Sequence, residues 1–191
     1  MIGDEFLREG LTADVAQMDA VIGQFLDYAR LDENERSELS NSQSNDTAVP
    51  TDVVSLVNSV AQRFSVAAKS ISLDLKVMPE CLVRPLLLTR ALANLLDNAI
   101  KYGGGEITVQ LYGEANQLVL QVMDRGAGIP LAHRAAVKHP FFRLDAARSD
   151  VSGSGLGLAI VERVARLHHG VFELSEREGG GLQATLRLPA G

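Results

Sequence analysis

Two short segments of the chain combine residue types that can bind a nucleotide. In the segment Asp124–Ile129, a carboxylate ends an apolar run and is followed by Gly126 and Gly128. A carboxylate at the end of a strand can accept a hydrogen bond from an exocyclic amine at the edge of a pocket. The segment Gly153–Leu158 is a glycine cluster that opens an amphipathic helix, where backbone N–H groups can approach phosphate oxygens closely. Each motif is common by itself, but together they predict a nucleotide site.

A third group of polar residues lies on the helix predicted at Leu86–Tyr102. At about 100° per residue, Asn94, Asn98 and Lys101 share one face, opposite the apolar face of this helix. Asparagine is a poor helix former, so asparagines in mid-helix indicate a functional role. Amide oxygens suit Mg²⁺, which is usually held together with substrate phosphates. For Lys101 or Asp97 taken alone, a solvated surface position is the simpler interpretation.

A sheet and its covering helices must position these segments, and the apolar periodicity predicts both. Alternating apolar residues predict strands, whereas apolar spacings of three and four residues predict helices. After position 50 the predicted order is helix, strand, helix, two strands, a long irregular segment, helix and two strands, with Thr51 capping the first helix. The approximate bounds are 51–67, 71–77, 86–102, 107–111, 118–122, 125–152 (irregular), 156–168, 171–175 and 182–188, with a hairpin turn at 178–181. One apolar face on each element implies an α/β two-layer sandwich, in which three helices cover a mixed sheet. So long an irregular segment is typical of a functional lid.

The first part of the chain predicts an isolated helix with a heptad pattern. Apolar residues recur at steps of three or four from Leu11 to Ala29, and a lone helix cannot bury such a seam. We expect a partner helix, from a second copy or from sequence outside this chain; packing on the main domain is the alternative. Polar residues without an apolar period predict a linker at 34–50. The predicted division of the chain is therefore 1–33, 34–50 and 51–191.

Composition and charge exclude several classes of protein. A formal net charge of −6 argues against a nucleic-acid-binding face, which would be basic. The single cysteine, Cys81, excludes an internal disulfide and fits a reducing compartment. The sequence has no apolar run long enough to span a bilayer, and it does not begin with a signal-peptide pattern. We therefore expect a cytoplasmic chain without a membrane segment.

Four segments, in this order along the chain, resemble the motif boxes of sensor histidine kinases. They are Asn94–Tyr102 (N box), Asp124–Ile129 (G1 box), Pro140–Arg143 with Asp145 and Arg148 (F box) and Gly153–Leu158 (G2 box). The Asp-x-x-Arg that follows the F box is most similar to bacterial osmosensor-type kinases. The resemblance implies the ATP-binding fold that these kinases share with gyrase, Hsp90 and mismatch-repair ATPases. It also implies that Phe141 and Phe142 pack the lid down.

The resemblance further implies roles for individual residues. Asp124 would accept a hydrogen bond from the adenine amine, and Asn98 with Asn94 would hold Mg²⁺ against the phosphates of ATP. Lys101 and Arg143 would contact phosphate oxygens as cations. The implied catalytic residues are Asn94, Asn98 and Lys101. The implied ATP-binding residues are Asn94, Asn98, Lys101, Tyr102, Asp124, Gly126, Gly128, Ile129, Phe141, Arg143, Arg148, Gly153, Ser154, Gly155, Leu156 and Gly157.

The N-terminal helix resembles the second helix of the dimerisation and phosphotransfer domain of these kinases. In the family, the phosphoacceptor histidine lies on the preceding helix, and none of the four histidines of this chain lies in such a motif. We expect all four to be surface or helix-capping residues. They are His133, His139, His168 and His169.

The resemblance therefore implies the ATP-binding catalytic portion of a protein histidine kinase, which moves the γ-phosphoryl group of ATP to a histidine for relay to a response-regulator aspartate. The implied cofactors are ATP and Mg²⁺. The expected partners are the cognate response regulator and the kinase's own dimerisation domain or a second copy, contacted through residues 11–29. We expect that this chain alone cannot autophosphorylate and that the full-length protein is anchored in the bacterial inner membrane. The alternatives are a serine kinase or ATPase of the same fold, or a non-catalytic nucleotide-binding or dimerisation module.

Overall fold

A five-stranded sheet forms one layer of the computed structural model, which describes residues 18, 21–26, 28–29, 47–65, 70–144 and 153–190. The strands within these residues are β1 (Val49–Thr51), β2 (Ser70–Leu75), β3 (Cys81–Val83), β4 (Glu106–Glu114), β5 (Gln117–Met123), β6 (Val171–Glu176) and β7 (Leu182–Pro189). The large sheet has the order β2-β4-β5-β7-β6, in which β2 runs parallel to β4 and the other neighbouring pairs are antiparallel. The prediction of a mixed sheet is therefore confirmed.

Three helices form the second layer: α1 (Val53–Phe64), α2 (Pro85–Tyr102) and α3 (Gly157–Leu167). Their apolar sides are buried in one core with Ile107, Val109 and Leu111 of β4, which alternate with less buried neighbours along the strand. A period of two along a strand and an apolar stripe along a helix place these side chains at the same interface. The α/β two-layer sandwich is confirmed.

The cap of α1 differs from the prediction. Thr51 lies in β1, and Asp52 caps the helix because its carboxylate accepts a hydrogen bond from the Ser55 N–H at 3.0 Å. The Ser55 hydroxyl donates to the same carboxylate at 2.6 Å. These two hydrogen bonds lower the pKa of Asp52.

The end of α2 meets the end of β5, and this junction positions the candidate site. The Arg125 N–H donates to the Gly103 carbonyl at 3.0 Å. A Cβ atom on Gly103 would lie 2.5 Å from the Asp124 Cβ, so only glycine allows this approach. The polar face of α2 and the first residue of the Asp124–Ile129 segment are therefore neighbours.

Two short strands were not predicted. β1 and β3 pair in antiparallel fashion, with Val49 opposite Val83 and Thr51 opposite Cys81. Three residues each are too few to display an alternating pattern, and Pro50 is unusual within a strand. The last residues of the predicted linker thus belong to this small sheet, while the division of the chain into three parts stays a prediction. Burial raises the pKa of the Cys81 thiol.

The described part of the N-terminal segment is helical at residues 18, 21–26 and 28–29. Its seam residues Met18, Ile22 and Phe25 are 63%, 51% and 50% exposed, whereas Tyr28 packs against the domain core. The helix is therefore not isolated, because it contacts the domain through Tyr28, which lies beside the predicted seam. The first seam residues lie outside the described ranges. Among the described residues, no helix has the length and apolar character needed to cross a membrane.

His168 connects the two helices that border the candidate site. It is the C-cap residue of α3, which agrees with the predicted helix-capping role. Its side chain is buried rather than at the surface. Its Nε2 accepts a hydrogen bond from the Arg84 N–H at 3.0 Å, and its Nδ1 lies 2.8 Å from the Val164 carbonyl. These contacts fix a neutral ring with the proton on Nδ1. The other histidines, at positions 133, 139 and 169, are exposed.

Candidate nucleotide-binding site

A cavity of about 410 Å³ opens between α2, the segment that follows β5 and the segment that precedes α3. One end is apolar and the other is polar, as a ligand with a flat base and a charged tail requires. The lining residues are Gln24, Asn94, Asp97, Asn98, Lys101, Tyr102, Asp124, Ala127, Gly128, Ile129, Val137, Phe142, Arg143, Leu144, Gly153, Ser154, Gly155, Gly157, Leu158 and Leu182.

Asp124 is a buried carboxylate, only 5% exposed, at the apolar end of the cavity. Its Oδ1 accepts hydrogen bonds from the Gly126 N–H at 2.8 Å and from the Leu182 N–H at 3.3 Å. Within the described part of the chain, no hydrogen bond to Oδ2 is found. The backbone thus fixes the carboxylate and leaves one oxygen as an acceptor for a ligand N–H group.

Arg125 fixes the hairpin turn that lies behind Asp124. Its Nη1 donates to the Glu178 carbonyl at 2.8 Å and to the Gly180 carbonyl at 3.3 Å. Gly181 has a φ of +110°, and a Cβ there would lie 2.0 Å from the Asp124 carbonyl oxygen. The predicted turn at 178–181 is therefore also a support for the apolar end of the cavity.

The polar face of α2 lines the opposite wall, as the helical spacing predicted. The Asn94 amide donates to the Arg90 carbonyl at 2.9 Å, and its oxygen would lie 3.2 Å from a Cβ on Gly157. Lys101 Nζ lies 2.7 Å from Asp97 Oδ2, and both side chains are about one-third exposed. Asp97 is thus part of the cavity wall and orients the lysine ammonium, although its position alone suggested a solvated face.

The start of α3 forms the floor of the polar end. Ser154 Oγ accepts a hydrogen bond from the Leu156 N–H at 3.1 Å and donates to Gln24 Oε1 of the N-terminal helix. Gly155 has a φ of +70°, and a Cβ there would lie 2.9 Å from the Phe141 carbonyl carbon. Backbone amides are therefore available at a helix N-terminus, where an anion is favoured.

Three predicted site residues lie elsewhere. Phe141 has a positive φ of +64°, is 63% exposed and does not line the cavity. The neighbouring Phe142 lines the cavity instead and packs against the core. Leu156 is fully buried beneath the start of α3. Gly126 supports the backbone, since a Cβ there would lie 2.1 Å from the Tyr102 carbonyl oxygen.

The remaining predicted site residues line the cavity, apart from Arg148, which lies outside the described residues together with Asp145. Lining a cavity does not test a role in binding, so their roles stay predictions. Those that line it are Asn94, Asn98, Lys101, Tyr102, Asp124, Gly128, Ile129, Arg143, Gly153, Ser154, Gly155 and Gly157.

Sequence reasoning missed most of the apolar lining and two polar lining residues, Asp97 and Gln24. Val137, Leu158 and Leu182 come from three different segments, and each looks like an ordinary core residue in the sequence. Gln24 is 130 positions from Ser154, and no local pattern could relate the two. Only the fold brings these side chains together.

The donor set fits a magnesium ion held jointly with phosphates. Among the described residues, no group of three or more histidine, cysteine, aspartate or glutamate side chains is arranged to hold a metal. Asn94 and Asn98 both line the cavity, and the Asn94 amide oxygen lies beside Gly157 at its polar end. Mg²⁺ accepts such neutral oxygens when phosphates and water complete its coordination.

Comparison with known proteins gives consistent results. The family model described as histidine kinase-, DNA gyrase B-, and HSP90-like ATPase matches residues 83–191. The chain is 34% identical over 188 residues to the sensor-like histidine kinase SenX3 of Mycolicibacterium smegmatis, and this match covers 95% of the chain and 47% of SenX3. It is 35% identical over 201 residues to the sensor protein CreC of Escherichia coli, which covers 96% of the chain and 40% of CreC. The chain thus spans less than half the length of either relative.

Solved structures give the same picture. The chain is similar to the NMR structure of the histidine kinase domain of the Escherichia coli osmosensor EnvZ, with a TM-score of 0.60 and 36% identity over 78% of this chain and 93% of that one. Full-length ShkA in complex with AMPPNP gives a TM-score of 0.75 at 24% identity, covering 95% of this chain and 38% of ShkA. This last similarity concerns the fold alone.

Proposed function

The chain belongs to the histidine kinase-, DNA gyrase B- and HSP90-like ATPase family as an ATP-binding domain of the sensor histidine kinase type, and we propose that its cavity holds Mg-ATP for phosphoryl transfer to a histidine. The observation that carries this proposal is the Asp124 carboxylate. It is buried at the apolar end of the cavity, held by two backbone N–H groups through one oxygen. An acceptor in that position selects a base with an exocyclic amine, which adenine has and guanine lacks at the corresponding carbon.

The base lies between apolar side chains at the Asp124 end. Ile129, Val137 and Leu182 line this end and exclude water from the base faces. Tyr102 is about half exposed, with its hydroxyl oxygen 3.0 Å from the position of a Cβ on Gly153. It therefore spans the cavity between the base end and the polar end, where it can contact the sugar.

The phosphates lie at the polar end, near the start of α3. Backbone N–H groups of 153–157 approach phosphate oxygens, while Lys101 and Arg143 supply positive charge. Asn98 and Asn94 would hold Mg²⁺, which would neutralise phosphate charge when bound. Asp97 keeps the Lys101 ammonium in place through its 2.7 Å contact.

Phosphoryl transfer needs positioning and charge neutralisation more than covalent chemistry by the protein. The bond between the γ-phosphorus and its bridging oxygen breaks, a bond to an imidazole nitrogen forms, and ADP leaves. The cavity supplies the positioning of ATP, and the acceptor histidine belongs to the dimerisation and phosphotransfer domain. The phosphoryl group then passes to an aspartate of the cognate response regulator.

Partner and location follow from the same proposal. The exposed seam residues Met18, Ile22 and Phe25 are available to a partner helix, from the dimerisation domain or from a second copy. The full-length protein is anchored in the bacterial inner membrane, with this domain in the cytoplasm.

Isothermal titration calorimetry with AMPPNP and Mg²⁺ tests the binding step. The wild-type chain should bind, and Asp124→Ala should weaken binding by at least about 30-fold, or about 2 kcal/mol. Asp74→Ala is the matched control, because it removes an exposed carboxylate on β2 that bonds Lys76 and Gln110 rather than the cavity. Absence of binding, or equal binding by wild type and Asp124→Ala, would contradict the proposal.

A second experiment tests the transfer step. The chain is mixed with labelled ATP and a separately produced acceptor-helix fragment that carries the histidine. Transfer should be weak, because the acceptor helix is then not joined to the ATP-binding domain. The chain alone should take up no label, since none of its four histidines lies in a phosphoacceptor motif. Hydrolysis of ATP without any transfer would argue against this function and favour an ATPase of the same fold. Transfer at the rate of an intact kinase would contradict only the expectation of weak transfer.

A further inference from the structure

The N-terminal helix contacts the domain through two residues one turn apart, and one of them lines the polar end of the cavity. Gln24 lines the cavity and accepts the Ser154 hydroxyl hydrogen bond through Oε1. Tyr28 packs against the domain core, and the Arg163 guanidinium of α3 lies 5.7 Å from the centre of its ring. Positions i and i+4 lie on the same side of a helix, so one face of the segment makes both contacts.

Ser154 connects this helix to the start of α3. Its oxygen accepts from the Leu156 N–H at 3.1 Å while its hydroxyl hydrogen goes to Gln24. The Leu156 amide belongs to the amino end of an 11-residue helix, where backbone N–H groups attract anions. While the N-terminal helix is docked, a serine oxygen occupies this amide, and a glutamine carbonyl oxygen adds a partial negative charge to the same end of the cavity.

We propose that Gln24 and Tyr28 form a latch that competes with the phosphates of the nucleotide for the start of α3. Incoming phosphate oxygens take both the Leu156 N–H and the Ser154 hydroxyl hydrogen, so that the Ser154–Gln24 hydrogen bond breaks and the helix is released. By reciprocity, the docked helix weakens nucleotide binding by the same factor as nucleotide weakens docking. The latch rests on the proposed nucleotide function and adds to it a contact that reports the occupancy of the phosphate end.

Calorimetry on the full chain tests the competition with Mg-AMPPNP as the probe. Gln24→Ala should raise its affinity about fivefold, the equivalent of about 1 kcal/mol for one hydrogen bond. Tyr28→Ala should act in the same direction, because it loosens the helix without altering the cavity. Gly23→Ala is the control: the position of its Cβ has no atom within 4 Å, so this change removes no contact and the affinity should not rise.

Hydrogen exchange of the amides at 21–29 measures docking directly. Saturating Mg-AMPPNP should accelerate their exchange about fivefold in the wild type, since reciprocity requires the same factor. In Gln24→Ala the exchange should be faster before nucleotide is added and should respond little to it. Slower exchange with nucleotide, or equal nucleotide affinities in wild type, Gln24→Ala and Tyr28→Ala, would overturn the latch alone. A wild-type chain that binds no nucleotide would overturn the proposed function as well, so the two failures are distinguishable.

Discussion

The two ends of the cavity are built in different ways. At the apolar end, the proposed site of the base and here called the base end, Asp124 is fixed by the N–H groups of Gly126 and Leu182 and by the close packing of strand ends. At the polar end, the proposed site of the phosphates and here called the phosphate end, the side chains of Ser154, Lys101 and Asn94 make hydrogen bonds with Gln24, Asp97 and a helix carbonyl, respectively. The base end is thus formed by the sheet itself, whereas the phosphate end can exchange partners. A preformed base site favours recognition, and an exchangeable phosphate site can report what is bound.

The largest effect should come from the base end. Asp124→Asn replaces one of the two acceptor oxygens by an NH₂ donor. The side chain can then accept a hydrogen bond from the adenine amine or from the backbone N–H groups, but it cannot accept both through separate oxygens. We expect the affinities for adenosine, ADP and AMPPNP to fall by a common factor of about 100, or about 3 kcal/mol. Calorimetry with the three ligands measures this factor.

A loss that grows with the number of phosphates would show that the carboxylate acts on the phosphate end, and the comparison between the two ends would fail. The thermal midpoint of the variant should be recorded beside the affinities. A large decrease in that midpoint would mean that the fold, rather than the base contact, has been damaged.

An intermediate effect should come from the phosphate end. Asn98→Ala should lower the affinity for AMPPNP about tenfold when Mg²⁺ is present. Adenosine binding should be unchanged, because only the phosphates of the ligand bind the metal. Titrations with Mg²⁺ and with EDTA separate the two contributions.

The matched variant is Asn116→Ala, which alters an asparagine in the turn between β4 and β5 that does not line the cavity. Mg²⁺ should change the nucleotide affinity of this variant by the same factor as it changes that of the wild type. Equal loss of adenosine and AMPPNP affinity in Asn98→Ala would contradict a role confined to the phosphate end.

The smallest effect should come from the support behind the base end. Arg125→Ala removes the hydrogen bonds to the Glu178 and Gly180 carbonyls, while Asp124 keeps its own backbone contacts. We expect a loss of about threefold for all three adenine ligands, because each exposed hydrogen bond contributes little. Arg187→Ala, which breaks ion pairs on the exposed side of the sheet, is a control that should leave ligand binding unchanged.

The sequence was most informative where function depends on local spacing. Asn94, Asn98 and Lys101 share a helix face by rotation alone, and the structure puts all three on the cavity wall. The alternation of apolar residues likewise predicted the strands of the large sheet, since a strand with one buried face has an apolar period of two. Such patterns survive in any fold that buries one face of each element.

Features that depend on distant contacts were beyond sequence reasoning. The β1–β3 pair has no period to detect, and Pro50 argued against a strand. Phe141 was expected to pack the lid down, but it is largely exposed. The contact of Gln24 with Ser154 joins segments 130 positions apart, so only the folded chain reveals it.

The place of β7 in the sheet has a consequence for biosynthesis. This strand lies between β5 and β6, and the Leu182 N–H at its start bonds the Asp124 carboxylate across 58 positions of sequence. On the ribosome, Asp124 emerges well before its partner, so a nascent chain that ends before Leu182 has neither a complete sheet nor a fixed base acceptor. Pairing across such a sequence separation forms late and slowly. A growing chain should therefore become able to bind ATP only after β7 has left the exit tunnel, which ties the first binding event to the completion of the domain.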